Sequence, residues 1–233
     1  MTATLPTDPR LEALLDAALD HVPFDGWSPA TFRAATSEAG MTEAEAKALA
    51  PRGAIDLAVA LHRRGDRAMV EKMASVGSVD MRYRDRVSAA LRYRVEALPD
   101  REVARKSSAL FSLPTHAAEG AKLIWETSDA IWTALGDTSR DGNWYSKRAT
   151  LSAVWGSVVL YWLGDDSIGH ARTKEFIDRR IDNVMSVEEM KGRLRKNPLT
   201  KPLMDIQAAI MGRVKAPSRA DRSDLPGRWS PDT

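Results

Sequence analysis

Four histidines, His21, His62, His116 and His170, are the obvious candidates for metal or acid–base work. A di-iron or zinc site on helices needs a carboxylate three residues before a histidine, so that both project from one face. None of the four has Asp or Glu at that position. Asp166 and His170, four apart, come nearest, and they fall at a helix start where capping accounts for them. The run Asp137-Thr138-Ser139-Arg140-Asp141-Gly142-Asn143 imitates the opening of a calcium loop, with oxygens at positions 1, 3 and 5 and glycine at 6. Its twelfth position, where a bidentate Glu should close the shell, is Arg148, a cation that would repel the ion. A turn that caps the next helix explains the same residues. There is no Gly-rich phosphate loop and no Gly-x-Ser-x-Gly elbow. The absence of cysteine excludes disulfides, thiolate zinc, iron–sulfur ligation and cysteine nucleophiles. These residues point to binding rather than conversion, with no catalytic residue, metal or cofactor expected.

Three features could bind. The stretch Asn143-Trp144-Tyr145-Ser146-Lys147-Arg148 sets two large rings at a helix start with two cations behind them. Consecutive residues lie about 100° apart on a helix, so either both rings are covered from two sides or one belongs to a contact patch. Trp125 and Trp132 are seven apart, as are Trp155 and Trp162, the latter beside Leu151, Val158 and Val159. Such stripes form either plain core or the wall of an elongated apolar cavity. Finally, Leu199, Leu203, Ile206, Ile210 and Val214 share one helical face. Residues 191–215 hold seven basic side chains against Asp205 alone, a local +6 in a chain of +2. An apolar face with concentrated positive charge suits a helix lying on an anionic membrane surface.

The elements that must position these residues are helices. Leu11, Leu14, Leu15, Ala18, Leu19 and Val22 predict a first helix that stops at Pro23. Ser28-Pro29 opens a second that ends at Gly40, Thr42 with Glu45 forms a capping box for a third, and Pro51 starts a fourth running to about Val76. Longer helices are predicted over 80–97, 100–112, 114–135, 143–163 and 168–185, with breaks at Pro99, Pro114, Gly136 to Gly142 and Gly164 to Gly169. Nothing alternates with period two, so the fold class is all-α. The 15-residue apolar run Ala149 to Leu163 falls short of the roughly 20 residues that span a bilayer, and it reads as a buried helix. Met1 to Arg10 is neither a secretory signal nor a transit peptide, so a cytoplasmic address is expected. With 34 basic against 32 acidic residues, no global field directs the chain to nucleic acid.

Several stretches resemble a known family, the lipid-binding accessory proteins of ubiquinone biosynthesis that assist demethoxyubiquinone hydroxylase. They are Gly136-Asp137-Thr138-Ser139 followed by Trp144-Tyr145-x-Lys147-Arg148-Ala149, then Phe176-Ile177-Asp178-x-Arg180-Ile181, and Ala17-Ala18-x-x-x-Val22-Pro23-x-x-Gly26-Trp27. The resemblance implies a TetR-like fold in which residues 1–76 form a degenerate helix-turn-helix-like bundle and 77–190 a helical lipid-binding domain. A basic linker and amphipathic membrane helix would follow over 191–216, then a disordered tail over 217–233. It further implies a homodimer without catalysis that binds an isoprenoid lipid and presents a quinone intermediate to the hydroxylase, on the inner membrane of a bacterium. Matching positions nominate Asp137, Trp144, Tyr145, Lys147 and Arg148 for docking that partner. Trp125, Trp132, Leu151, Trp155, Val158 and Trp162 are the candidate lipid-binding residues. The alternative is a TetR-like transcription regulator. Its recognition helix would read Thr42-Glu43-Ala44-Glu45-Ala46-Lys47-Ala48-Leu49-Ala50, two acids to one base, which suits phosphate contacts poorly.

Overall fold

The computed structural model describes residues 8–76, 81–139 and 142–196, and among these breakers and caps set off nine α-helices. They are α1 (Pro9–Asp25), α2 (Pro29–Glu38), α3 (Glu43–Leu49), α4 (Ala54–Val76), α5 (Tyr83–Glu96), α6 (Arg101–Ser112), α7 (Ala117–Ala134), α8 (Gly142–Leu163) and α9 (Ala171–Lys196). No strand occurs among the described residues. The predicted caps form. Ser28 accepts from the Thr31 amide at 3.2 Å, and Thr42 and Glu45 exchange hydrogen bonds in a complete capping box. Asp100 caps α6 through the Glu102 amide at 2.8 Å.

The first and last helices differ most from the sequence expectation. Helix α1 carries Pro23 within its last turn and is capped at Gly26, whose amide bonds the Val22 carbonyl and whose φ of 64° with ψ of −166° suits glycine. The missing proline N–H is tolerated because only Phe24 and Asp25 follow it in the helix. The last helix starts at Ala171 rather than Ile168, because Gly169 and His170 are both left-handed (φ 61° and 54°) and interrupt it. It then continues to Lys196, so residues 191–196, expected in a basic linker, are helical. The amphipathic segment from Leu199 to Val214 and the expected tail lie outside the described residues.

The helices bury two cores. Leu14, Leu15, Val22, Trp27, Phe32 and Leu57 lie in the first, among α1 to α4 and one face of α6. Leu91, Ile131, Trp132, Trp155, Val158, Trp162, Ile177 and Ile181 lie in the second, among α5, α7, α8 and α9. Helix α4 serves both, giving Leu57, Ala58 and Leu61 to one and Met69 to the other. Among the described residues no helix is long and apolar enough to cross a membrane, and the 149–163 run is part of the second core.

Candidate functional site

Where α7 ends, Gly136 turns the chain at φ 77°, and the Asp137 amide bonds back to the Trp132 carbonyl at 2.9 Å. This turn drives the Asp137 side chain inward. Its carboxylate accepts from Lys147 Nζ at 2.7 Å, Ser139 Oγ at 2.8 Å and Arg148 Nη1 at 3.2 Å. Burial opposes its ionisation, but these three donors outweigh that and hold its pKa below the ordinary carboxylate range. Arg148, only 2% exposed, also donates Nε to Asp129 at 2.6 Å and Nη1 to the Trp144 carbonyl at 3.2 Å. Its guanidinium stands 4.0 Å from the centre of the Trp144 ring. Of the five residues expected to dock a partner, Asp137 and Arg148 are therefore internal: they anchor the loop and orient Trp144 instead of offering themselves to a partner. The Asp137 oxygens that the calcium-loop pattern would need are occupied by two cations.

What remains at this corner is aromatic. Trp144 and Tyr145 meet edge to face at 4.8 Å, and Trp125 of α7 lies 5.8 Å from Trp144 and 6.3 Å from Tyr145. All three rings are half-buried, and Lys147 keeps about a third of its side chain in solvent. Trp125, expected among lipid-binding residues, thus belongs to the corner. Trp132 does as well on its inner side, donating Nε1 to the Lys147 carbonyl at 3.1 Å.

An apolar cavity of about 430 Å³ opens between α4, α6, α7 and α8. Leu61, Phe111, Leu123, Ile124, Trp155 and Val159 supply much of its wall, and Gly156 leaves room beside Ile124. Of the expected lipid-binding set, Trp155 alone lines it. Leu151 and Val158 pack in the second core, because the α8 face bearing them turns towards α5, α7 and α9, and Trp132 of α7 packs there with them. Trp162 borders a separate hollow of about 460 Å³ with Arg101, His170 and Lys174. There Asp166 pairs with Arg101 at 2.7 Å while His170 lies against Trp162, so these two residues do not form a metal pair. Among the described residues no three His, Asp or Glu side chains converge on a point where an ion could sit.

One group escaped the sequence reading. His62 and Asp66, one turn apart on α4, meet Arg94 of α5 and Thr127 of α7 at the cavity wall. Arg94, 2% exposed, donates Nε to Asp66 at 2.7 Å and Nη2 to the His62 carbonyl at 3.0 Å, and its guanidinium lies 5.1 Å from the Trp155 ring centre. Burial drives His62 down to about 4 against the pull of Asp66, with the Arg94 charge assisting. The signal available in the sequence was the four-residue spacing of His62 and Asp66, with Gly65 between them. At α3, the helix that would have to read DNA, Glu43 and Glu45 are both exposed beside Lys47, and Glu45 is tied to Thr42 and Arg10.

Known proteins resemble this arrangement. Residues 117–188, which hold the aromatic corner and most of α7 to α9, match the family model COQ9. A protein of Drosophila melanogaster named ubiquinone biosynthesis protein COQ9, mitochondrial, is 29% identical over 182 residues, covering 76% of this chain and 56% of that protein. The human protein of the same name is 26% identical over 184 residues, covering 75% and 57%. The chain thus spans a little over half the length of these curated relatives. Among solved structures, a TetR transcriptional regulator from Nitrosomonas europaea superposes with a TM-score of 0.63 at 18% identity, covering 75% of this chain and 97% of that one. The match over 117–188 and these relatives make the chain similar to COQ9 proteins of ubiquinone biosynthesis, and the Nitrosomonas neighbour shows a TetR-like, all-helical fold.

Proposed function

We propose that this chain acts in ubiquinone biosynthesis as a non-catalytic carrier, holding an isoprenoid lipid in the α4–α6–α7–α8 cavity and presenting a quinone intermediate, demethoxyubiquinone, to its hydroxylase at a membrane. The observation that carries this reading is the cavity itself: apolar walls and about 430 Å³ of space fit a chain of isoprene units better than any polar metabolite. The names of the relatives supply the pathway. The aromatic corner supplies the docking surface, with Trp144, Tyr145 and Lys147 meeting the hydroxylase and Asp137 and Arg148 holding them in place. Half-buried aromatic rings on a rigid, ion-paired base resemble the anchors that dominate protein interfaces. The amphipathic segment Leu199 to Val214 would bring the loaded protein to an anionic bilayer, and the carrier would work as a homodimer.

The deciding experiment is mass spectrometry of lipids that co-purify with the chain, run beside Gly156→Leu. A Cβ at Gly156 meets only Ile124 at 4.0 Å, so the larger side chain fits the backbone while occupying the cavity. A quinone or other isoprenoid present in the wild type and lost in the variant is the expected result. Equal lipid content in both, or none in either, refutes the cavity as a carrier site. Trp144→Ala should separately weaken association with the hydroxylase while the chain stays folded, and unchanged association would remove the corner from the docking surface.

A further inference from the structure

The wall of the cavity is apolar except where α4 and α5 bring in His62 and Arg94 beside the serines of α6. The hydrogen bonds there fix which atoms donate. The Leu123 carbonyl, 3.1 Å from His62 Nε2, can only accept, so the imidazole proton sits on Nε2. Thr127 Oγ1, 2.8 Å from the same nitrogen, gives its own proton to Asp66 Oδ1 at 2.8 Å and accepts from the imidazole. Arg94 Nε donates to that same Asp66 oxygen at 2.7 Å. Every charge in the cluster is thereby matched within the protein. His62 Nδ1 is left as a bare lone pair: no described residue donates to it, and His62 lines the cavity.

Resting on the reading that this cavity takes a lipid, we propose that His62 Nδ1 reads the polar end of the ligand and selects one that carries a hydroxyl donor, an alkylated phenol or hydroquinone, over the same molecule oxidised or capped at that oxygen. The quinone intermediate of that reading is then held in the cavity in its reduced, hydroquinone form. A phenol offers an O–H to the lone pair. A quinone carbonyl or an aryl ether sets a second lone pair against the first, and both acceptors then go unpaired away from water. Protonation cannot rescue the mismatch at neutral pH, because burial keeps the imidazole in its neutral form.

The test compares two probes with identical tails, a farnesylated phenol and its O-methyl ether, by quenching of tryptophan fluorescence, since Trp155 borders the cavity. For the wild-type chain the phenol should bind about tenfold more tightly, the value of one well-formed hydrogen bond that would otherwise be lost. His62→Phe, which keeps the ring and removes the lone pair, should bind both probes alike at the affinity of the ether. Equal wild-type affinities overturn the proposal while leaving the lipid reading intact, and a preference that survives in His62→Phe overturns the assignment to this residue. Binding of neither probe overturns both readings. Should His62→Phe fail to fold, as circular dichroism would show, the wild-type pair still decides.

Discussion

Replacing Gly65 with alanine ought to help a helix, and in this chain it should do the opposite. In the middle of α4 the substitution gains about 1 kcal/mol of helix propensity. A Cβ at this position would, however, stand 2.5 Å from Arg94 Nη1, 2.6 Å from its Cζ and 2.9 Å from its Nη2. An arginine tip free in solvent would simply move aside. This one is 2% exposed and fastened by Nε to Asp66 and by Nη2 to the His62 carbonyl, so it can retreat only by releasing them. Disrupting a buried pair of this kind costs about 3–5 kcal/mol. The net is a loss of about 3 kcal/mol, or about 6–12 °C in melting temperature for a chain of this size. Thermal melts followed by circular dichroism measure it, and the decisive arm repeats the substitution in an Arg94→Leu background. There the obstacle is gone and Gly65→Ala should be neutral or stabilising. If Gly65→Ala melts at or above the wild type, or if the loss persists without Arg94, the pinned guanidinium is not what makes glycine necessary.

Other outcomes follow from the ion pairs and caps. Arg148→Met should lower stability by about 3 kcal/mol in urea titration, because Asp137 keeps Lys147 but loses a buried charged donor; a change under about 0.5 kcal/mol would mean that the corner is held without it. The stability of the wild-type chain should fall as pH drops from about 6.5 towards 4, since over that range the unfolded state gains a proton on His62 and the folded state, with its pKa near 4, does not. His62→Gln should lack that limb in denaturation curves measured across the interval, and a limb of equal size in the variant would assign it elsewhere. Asp165→Ala should destabilise by about 2 kcal/mol in the same measurement, because this 3% exposed carboxylate accepts from the amides and hydroxyls of both Ser167 and Thr173 where the chain enters α9. Burial opposes its ionisation, yet those donors keep its pKa far below the ordinary 3.8, so its contribution should persist well into acid.

Much of the fold could be read from the chain because its punctuation is local. Ser28-Pro29, Thr42 with Glu45, Pro99 and Gly136 each act through bonds within a few residues, and each lies at or near a helix end in the structure. The seven-residue spacing of Trp125 and Trp132 also put both on one face correctly, since both meet the first turns of α8. That such a face forms a seam between helices rather than a cavity wall depends on how α7 crosses α8, which no spacing encodes. The same holds for Arg148. Its type and position were legible, but its burial depends on Asp129, nineteen residues away on another helix. The cavity wall drawn from α6, Ser107 and Phe111 among it, carried no signal because α6 looks like any amphipathic helix until its neighbours are placed.

Helix α4 is a single rod shared by both cores, and Arg52, just ahead of it, and Arg63, within it, are clamped to Glu119 and Glu126 of α7. Ala58 and Leu61 from this rod face the cavity across from Ile124 and Trp155. An occupant therefore sits where a keystone sits in an arch, bearing on both flanks at once. Loading should raise the melting point of the whole described molecule in one step, and the α1 to α3 bundle should register whether the cavity is full even though most of the wall belongs to helices outside it.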